Sequence, residues 1–303
     1  MPTFVTGPVE VSVPATSANL GPGFDSLGLA LGLRDLLTGE VVGTAGLELT
    51  VVGADADSVP RDETHLVYRA MCAAFDEMGC TVPGVRLHCR NRIPHGRGLG
   101  SSSAAIVGGI CLARSLVAGG SLLMDDDAVF DLAARMEGHP DNVAPAFYGG
   151  FTIALSDSGA FHATTVAVDP RVRVVVFVPP EPLRTSVARG LLPESVPHAD
   201  AAANAGRAAL LVVALTGRPE LLLPATEDFL HQPYRQDAMP ETLRLVHDLR
   251  VDGVAAVVSG AGPTVLAFVD GSTEAEVRRR VPPGWDVLSL AVDGAGAELG
   301  GED

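Results

Sequence analysis

The chain has 303 residues, 47% of them apolar, so it is long enough for one large domain or for two of ordinary size. Its formal net charge of −16 argues against binding nucleic acid or an anionic membrane through an overall field. All 21 basic residues are arginine, which excludes Schiff-base and lysine-nucleophile chemistry. No apolar run approaches the ~18 residues of a membrane span, and the N-terminus lacks a signal-peptide pattern. We therefore expect a cytoplasmic protein with its four cysteines reduced and no nucleic-acid or membrane partner.

The first predicted element is a strand over residues 8–14, where apolar and polar residues alternate. Residues 14–25 are rich in proline, glycine and small polar residues, and we predict a rigid loop there that is neither helix nor strand. Asn19 and Asp25 are the side chains of this loop with recognition chemistry. Turn residues need no function, but the length and polarity of the loop between apolar strands favour a binding loop.

Three further elements precede the centre of the sequence. Strands are predicted over 27–33 and 40–52, and a helix over 65–78 with its apolar residues on one face. A strand with alternating residues over 85–92 then leads the chain into a glycine-rich stretch.

That stretch, residues 94–104, has the pattern of an anion site. Glycines at alternate positions keep side chains out of a ligand's way, and the serines that follow are preferred N-caps for a closely packed helix. Free amides and the positive end of the helix dipole suit phosphate. The stretch lacks the lysine of a P-loop and the glycine spacing of a dinucleotide fingerprint. The candidate phosphate-binding residues are Pro94, His95, Gly96, Arg97, Gly98, Leu99, Gly100, Ser101, Ser102, Ser103 and Ala104.

A second polar cluster follows a helix predicted over 125–137, whose acidic start is explained by capping. Proline and glycine end this helix and leave four polar side chains within six residues, a pattern typical of a reaction site: Glu137, His139, Asp141 and Asn142. A hard cation such as Mg²⁺ takes one or two carboxylates together with phosphate oxygens and water. Ser102 and Glu137 are therefore candidate metal ligands.

The second half begins at a boundary that we place at residues 160/161. A β-branched run over 172–178 predicts a buried strand, and Thr185 and Arg189 follow it. Arg235 comes after a proline and an aromatic residue, which fix its direction, and guanidinium groups bind carboxylates bidentately.

The remaining predicted elements are helices over 199–216 and 240–250 and strands over 254–259 and 265–269. The loop between these strands is made of small residues, including Gly260 and Gly262, and allows close approach of backbone to phosphate or substrate. The glycine-, alanine- and acid-rich tail beyond residue 292 is predicted to fray.

Three stretches, in order along the chain, resemble motifs of the GHMP small-molecule kinases. Residues 94–104 match P-x-x-x-G-L-G-S-S-x-A, and residues 258–264 match x-S-G-A-G-P-T. Residues 14–25 match P-A-T-S-A-N-L-G-x-G-F-D, the form of the first motif in homoserine kinases. Shorter stretches at 139–146, 183–189 and 228–235 resemble the same family, although Arg184 stands where serine is usual.

The resemblance implies an α+β fold of two domains. These are an N-terminal, ATP-binding domain over 1–160 with a left-handed βαβ arrangement, and a ferredoxin-like domain over 161–303. Members of the family are often homodimers. Related kinases contact adenine near the start of the helix predicted over 65–78, and many carry asparagine where this chain has His65.

The resemblance also implies ATP-dependent phosphorylation of the side-chain hydroxyl of L-homoserine, with ATP and Mg²⁺ as cofactors. ATP is then bound by residues 94–104 with Gly260 and Gly262, and the metal by Ser102 and Glu137. The implied substrate residues are Arg189 and Arg235 for the carboxylate, Asp25 for the ammonium, and Asn19 with His139 for the hydroxyl. The implied catalytic residues are Asn19, Asp141 and Thr185. Asp141 is a candidate base, and direct passage of the hydroxyl proton to phosphate is the alternative.

Two other functions fit part of this pattern. A GHMP kinase for mevalonate or a sugar fits the phosphate loop, but the two arginines with Asp25 suit a zwitterion better. A non-catalytic sensor with the same fold would need neither a metal ligand nor Asp141. An ATPase assay with a panel of hydroxy compounds separates these alternatives.

Overall fold

Two β-sheets organise the chain in the computed structural model, which describes residues 3–300. The strands are β1 (Val9–Asn19), β2 (Gly23–Val42), β3 (Leu47–Gly53), β4 (Gly84–Asn91), β5 (Phe151–Asp157), β6 (Ala160–Val166), β7 (Arg173–Val178), β8 (Ala256–Val258), β9 (Val265–Val269), β10 (Asp286–Leu290) and β11 (Glu298–Leu299). The larger sheet has the order β11-β1-β2-β4-β3, with β5 pairing with β2 and with β6. The smaller sheet has the order β10-β7-β9-β8. β3 and β4 are parallel, and all the other named strand pairs are antiparallel.

The helices cover the sheets. They are α1 (Leu66–Glu77), α2 (Ser101–Leu116), α3 (Gly120–Leu123), α4 (Asp126–Glu137), α5 (Val143–Tyr148), α6 (Thr185–Gly190), α7 (His198–Thr216), α8 (Leu222–Ala225), α9 (Pro240–Val251) and α10 (Glu274–Arg278), with 3-10 turns at Pro219–Leu221 and Pro233–Arg235. α2 packs against α1, α4, α5 and the strands β1 and β2, as its small apolar residues predict. The mixed α+β architecture is therefore as predicted.

The core runs through both halves of the molecule. Val174 and Val176 of β7 belong to the larger apolar cluster, which also contains the helix and sheet residues of the first half. Val175 and Phe177 point to the other face and pack with α9 in a second cluster. β7 is thus buried on both faces, which explains the continuous β-branched run in its sequence.

The first strand is longer than predicted. β1 continues through Pro14 to Asn19 and pairs with β2, so the prediction of a loop without strand over 14–25 is wrong. A register shift after Pro14 accommodates a proline that cannot donate to the ladder, and a second shift follows Ala18. Only residues 20–22 form a turn, and Asn19 and Asp25 on either side of it adopt φ angles of 67° and 54°.

The central helix begins differently from the prediction. Its N-cap is Gly100, which adopts a left-handed conformation with φ 71° and ψ 22°, and no side chain caps the helix. The serines occupy the first turn instead, so their hydroxyl groups are free for other partners. By contrast, the acidic start of α4 is capped as predicted, since the Asp125 carboxylate accepts a hydrogen bond from the amide of Ala128 at 2.9 Å.

The predicted boundary at residue 160 falls inside the β5–β6 hairpin, and β6 pairs with β5 in the larger sheet. The strand pairing favours a boundary at residues 167–172 instead, and the division into two domains stays a prediction.

The prediction of a frayed tail is wrong over residues 293–300, and its last part, residues 301–303, lies outside the described residues. Residues 291–300, here called the strap, run back along the first half of the molecule. β11 pairs with β1, and the amides of Gly32 and Gly150 donate to the carbonyls of Ala291 and Asp293 at 2.9 and 2.6 Å. Arg34 donates hydrogen bonds to the Asp293 carboxylate and to the carbonyl of Gly296.

The composition led to expectations about the four cysteines and about membrane-spanning segments. Cys72, Cys80, Cys89 and Cys111 are free thiols, and all but Cys72 are buried. By length and hydropathy alone, one helix within residues 3–300 could cross a membrane, namely α7, with 22% of that window buried. The expectation that no apolar run is long enough to span a membrane is therefore wrong by this criterion. Asn204 on α7 donates to the carbonyl of Pro22 at 2.8 Å, so one face of the helix packs on the protein.

Candidate active site

The glycine-rich loop and the first turn of α2 form an anion cradle. Gly98 lies against the β8–β9 loop, where a Cβ would come within 2.3 Å of the Ser259 carbonyl oxygen. A Cβ on Gly100 would lie 1.9 Å from the Thr16 hydroxyl oxygen. Both positions therefore require glycine. The first amides of α2 have no intrahelical partner, and the positive end of the helix dipole lies at the same point.

Arg97 does not point into this cradle. Its guanidinium donates to the carbonyls of His95, Pro179 and Pro180 at 2.7, 3.1 and 2.5 Å. The amide of Leu183 also donates to the Gly96 carbonyl at 2.9 Å. The side chain of Arg97 therefore fastens the loop to the segment that leads into α6.

Glu137, at the end of α4, faces the serines of α2. Its two carboxylate oxygens accept hydrogen bonds from the hydroxyls of Ser102 at 2.5 Å and Ser103 at 3.0 Å. Hydroxyl and carboxylate oxygens are hard donors, and Mg²⁺ uses few of them when phosphate and water complete its shell. Within residues 3–300, no group of three His, Cys, Asp or Glu side chains could hold a metal by itself. The residues present thus fit a metal held jointly with phosphate.

His139, Asp141 and Asn142 lie together, as the sequence predicts. The ring Nδ1 of His139 is 2.8 Å from Asp141 Oδ1, and Asp141 also accepts a hydrogen bond from the Asn142 amide. Burial opposes a charge on His139, but the hydrogen bond to Asp141 and the charges of Asp141 and Glu137 prevail and raise the pKa of His139. Thr16 donates to the side-chain oxygen of Asn142 at 2.8 Å and so joins the loop to β1.

The other wall comes from the β1–β2 turn and from α6. Asn19 donates to the Gly260 carbonyl at 2.9 Å and accepts from the Asp25 amide at 3.0 Å, which ties the turn to the β8–β9 loop. Asp25 and Arg189, predicted to bind opposite ends of a substrate, are paired with each other. This hydrogen-bonded carboxylate is the main cause that raises the pKa of Arg189.

Arg235 is almost completely buried, with 1% of its surface exposed. Its guanidinium donates to Nδ1 of His231 at 3.0 Å and to the carbonyls of Gly260 and Ala188 at 3.2 and 3.3 Å. Burial, followed by the charge of Arg189, lowers the pKa of Arg235 to about 10, so the group remains charged at neutral pH.

These groups converge on a cavity of about 130 Å³. Its lining comprises Asn19, Gly96, Gly98, Gly100, Ser101, Ser102, Glu137, His139, Asp141, Asn142, Thr185, Arg189, Arg235, Gly260 and Ala261. Of the predicted site residues, the structure leaves Pro94, His95, Arg97, Leu99, Ser103, Ala104, Asp25 and Gly262 outside this lining. Asp25 reaches the cavity only through Arg189.

A second cavity of about 190 Å³ adjoins the start of α2. It shares Ser101 and Ser102 with the first cavity, and its other walls are mostly apolar, with Leu37, Val59, Pro60, Leu66 and Ala105 among them. His65, at the start of α1, is 5% exposed, and its Nδ1 has no hydrogen-bond partner within the described residues. Burial and the neighbouring His95 lower the pKa of His65. This mostly apolar slot beside the start of α2, whose lining also includes Asp35, Asn91 and His95, suits a flat heterocycle.

A wider groove of about 740 Å³ lies elsewhere, between the 170–173 and 268–273 segments. Its carboxylates already have partners nearby: Glu220 pairs with Arg218, and Asp270 accepts hydrogen bonds from Ser272 and Thr273. The groove carries no comparable cluster of reactive groups.

Sequence reasoning overlooked two residues of the site. His231 holds Arg235 from the preceding turn, and Thr16 holds Asn142. His231 could have been found from the sequence, because it lies four residues before Arg235 and three after Asp228. Thr16 gave no local signal, since its partner lies 126 residues away.

Comparison with known proteins agrees with this geometry. The chain matches the family models "GHMP kinases N terminal domain" over residues 65–150 and "GHMP kinases C terminal" over residues 209–285. It is 55% identical to a homoserine kinase of Streptomyces coelicolor over 298 residues, which are 98% of this chain and 96% of the relative. The chain belongs to the homoserine kinases of the GHMP kinase family.

Other family members agree with this placement. A homoserine kinase of Clavibacter michiganensis subsp. michiganensis is 53% identical, with 96% of this chain and 93% of that one covered. A solved structure described as a putative homoserine kinase of Listeria monocytogenes superposes with a TM-score of 0.78 at 30% identity, covering 97% and 100% of the two chains. The homoserine kinase structure of Cytophaga hutchinsonii has a TM-score of 0.87 at 24% identity and covers 98% of each chain. GHMP kinases use ATP.

Proposed function

We propose that this protein transfers the γ-phosphoryl group of ATP to the side-chain hydroxyl of L-homoserine and releases O-phospho-L-homoserine. The observation that carries the proposal is the convergence of three features on one 130 Å³ cavity. These are the first amides of α2, the carboxylates of Glu137 and Asp141, and the guanidinium groups of Arg189 and Arg235. A triphosphate and an amino acid can thus meet across a short gap.

Two adjoining cavities support the proposed position of the nucleotide. The phosphates bind the loop amides between Gly96 and Ser103, and the base occupies the apolar slot beside them. This placement needs no ammonium side chain, which agrees with a chain that has no lysine. Phosphoryl transfer depends mostly on positioning and on stabilising charge, and both are supplied here by fixed backbone dipoles.

Ser102 and Glu137 would hold Mg²⁺ together with the phosphates. When bound, Mg²⁺ neutralises phosphate charge and orients the γ-phosphoryl group. Replacing Glu137 with Gln is expected to raise the free Mg²⁺ concentration needed for half-maximal activity, and exposed Glu77→Gln is the matched control. An unchanged Mg²⁺ requirement in the Glu137 variant would contradict this assignment.

The amino acid lies on the other side of the cavity. Arg235 and Arg189 take its carboxylate, and Asp25 takes its ammonium. Asn19, Thr185 and His139 face the cavity from three sides and orient the hydroxyl toward the γ-phosphoryl group. The hydroxyl proton passes either to Asp141 or directly to the phosphate.

The deciding experiment is a coupled ATPase assay of the purified protein with Mg²⁺ and a panel of alcohols, with products identified by ³¹P NMR. We expect turnover with L-homoserine and kcat/KM at least about 10²-fold lower with mevalonate, which lacks the ammonium, or galactose, which lacks both charged groups, since a site built to bind a group rejects substrates without it. If the protein prefers another alcohol of the panel, that alcohol and not homoserine is its substrate. ATP binding without turnover of any alcohol would favour a sensor.

The cytoplasmic location and the homodimer stay predictions. Light scattering of the purified protein at micromolar concentration tests the second.

A further inference from the structure

The Asp25–Arg189 ion pair has an arrangement that the proposed substrate must disturb. The guanidinium donates from Nη2 to Oδ1 at 2.6 Å and from Nη1 to Oδ2 at 3.1 Å. The two side chains are 36% and 37% exposed, so the pair lies at the mouth of the site and is open to water. Arg189 lines the cavity, whereas Asp25 is not part of its lining. The carboxylate of Asp25 and the guanidinium of Arg189 are therefore each other's ion-pair partners.

The two halves of the pair are held with different firmness. The Asp25 amide donates to the side chain of Asn19, and the residue adopts a positive φ of 54°, so its backbone is held by the turn and its side chain is short. Arg189 extends from the six-residue helix α6, and its guanidinium lies 5.6 Å from the centre of the Phe24 ring. Arg235 lies 5.9 Å from the same ring. Arg189 can thus swing on its long side chain while Asp25 and Arg235 stay in place.

We propose that the Asp25–Arg189 pair opens when an α-amino acid binds and exchanges its two partners for the substrate's carboxylate and ammonium, which makes the pair a selector for zwitterions. The inference rests on the proposed function, because it assumes that the alcohol is an amino acid. It adds that Asp25 and Arg189 act as one unit and that each also rejects substrates that lack the opposite charge.

The physical reason is that neither charged side chain should be left without a partner of opposite charge. A zwitterion replaces one internal pair with two new ones, so neither charge is left without a partner. An anionic alcohol that takes Arg189 leaves Asp25 unpaired, and a cationic alcohol that takes Asp25 leaves Arg189 unpaired. A partly exposed ion pair contributes little net stability, so it opens easily. An unpaired charge in a partly desolvated site costs more than the pair gains.

The test uses two analogues that each lack one charge of homoserine. 4-Hydroxybutyrate lacks the ammonium, and 3-amino-1-propanol lacks the carboxylate. kcat/KM, or the inhibition constant against homoserine for an analogue that is not turned over, is measured for each compound. The variants are Asp25→Asn, Arg189→Gln and the double variant. Asparagine tolerates positive φ, so the first variant preserves the turn.

We expect crossed responses. Asp25→Asn should lower kcat/KM for homoserine about 10- to 100-fold, as for loss of a charged hydrogen bond. The same variant should improve recognition of 4-hydroxybutyrate relative to homoserine at least about 10-fold, since Arg189 is released. Arg189→Gln should shift the relative preference toward 3-amino-1-propanol in the same way. In the double variant the two losses for homoserine should fall short of additive.

The control is Glu48→Gln, which breaks the exposed Arg86–Glu48 pair on the outer face of the sheet and should leave all ratios unchanged. If both site variants lower recognition of homoserine and of both analogues by the same factor, the pair only supports α6 and the inference is wrong. If analogues neither react nor inhibit in any variant, it is also wrong. Failure of the unmodified protein to phosphorylate homoserine would instead overturn the proposed function.

Discussion

Asp141 is the residue whose surroundings bear most directly on the chemical step. Only 2% of it is exposed, and its Oδ1 contacts both the His139 ring and the Asn142 amide. Such a carboxylate could accept the hydroxyl proton, or it could only orient His139. The two roles predict different losses when the charge is removed.

We predict that Asp141→Asn lowers kcat by about 10²- to 10⁴-fold if Asp141 is the base, because that is the usual contribution of general-base catalysis. The measurement is single-turnover phosphoryl transfer at saturating ATP and homoserine. His139→Gln serves as comparison, since it removes the hydrogen-bonded neighbour and keeps the carboxylate. A loss below 10-fold in the Asp141 variant would leave the proton to the phosphate.

Arg97 shows how a motif position can be occupied for a reason other than ligand binding. Its three hydrogen bonds go to backbone carbonyls rather than toward the cradle. We predict that Arg97→Gln raises KM for ATP about 3- to 10-fold, as expected for loss of one or two hydrogen bonds that position the loop.

Arg97→Lys separates the two explanations, because lysine keeps the charge but cannot reproduce the planar fork of donors. If the fork matters, the lysine variant resembles Arg97→Gln. Full recovery of ATP affinity with lysine would indicate a direct contact with phosphate instead. Arg90→Gln, on an exposed position of β4, is the control.

At the scale of elements, local patterns predicted what local forces decide. The β-branched run of β7 and the Asp125 cap of α4 need only their own neighbours in sequence. β1 was predicted too short because its extension past Pro14 is stabilised by pairing with β2, including a bulge that accommodates the proline. The family resemblance also implied that Asp25 and Arg189 bind one ligand. The sequence could not reveal their pairing, because 164 residues separate them.

His231, which lies next to the turn that carries Arg235, should make the stability of the protein depend on pH. A guanidinium only donates, so Nδ1 of His231 accepts from Arg235 and the Nε2 proton is donated to the Gly21 carbonyl at 2.8 Å. Burial, more than the opposing charge of Asp228, lowers the pKa of His231 below the usual 6.5. The unfolded chain therefore takes up a proton near pH 6.5 while the folded protein stays neutral at this ring.

Because of His231, the free energy of unfolding should decrease as the pH falls below 6.5. The slope of this decrease is at most about 1.4 kcal/mol per pH unit. The measurement is urea unfolding of the wild type and of His231→Gln between pH 8 and 5.5. The glutamine variant should lose this part of the pH dependence, and exposed His162→Gln should retain it. Parallel curves for wild type and His231→Gln would contradict the assignment.

At the scale of the whole molecule, the strap joins the two sheets. Arg34 contacts three of its residues: the Asp293 and Glu298 carboxylates and the Gly296 carbonyl. Composition predicted a frayed tail, because glycine, alanine and acids carry no local structural signal. The stabilising partners lie more than 250 residues earlier in the chain.

We predict that Arg34→Gln lowers the free energy of unfolding by about 1–3 kcal/mol, because it leaves the Asp293 carboxylate, which is 8% exposed, without its cation. Urea unfolding measures the loss, and limited proteolysis should show earlier cleavage within 291–300. Arg86→Gln breaks two exposed ion pairs and should change stability by less than about 0.5 kcal/mol. Equal losses in the two variants would mean that the strap is not held by Arg34.

The strap also sets an order of events during translation. The first half of the chain leaves the ribosome with the outer edge of β1 and the rim at Gly149–Gly150 still uncovered, and both must wait for residues 291–300. Those residues emerge only after β7 to β10 have been made. The larger sheet of the first half is therefore complete only when the end of the strap has been made, because β11 is its edge strand.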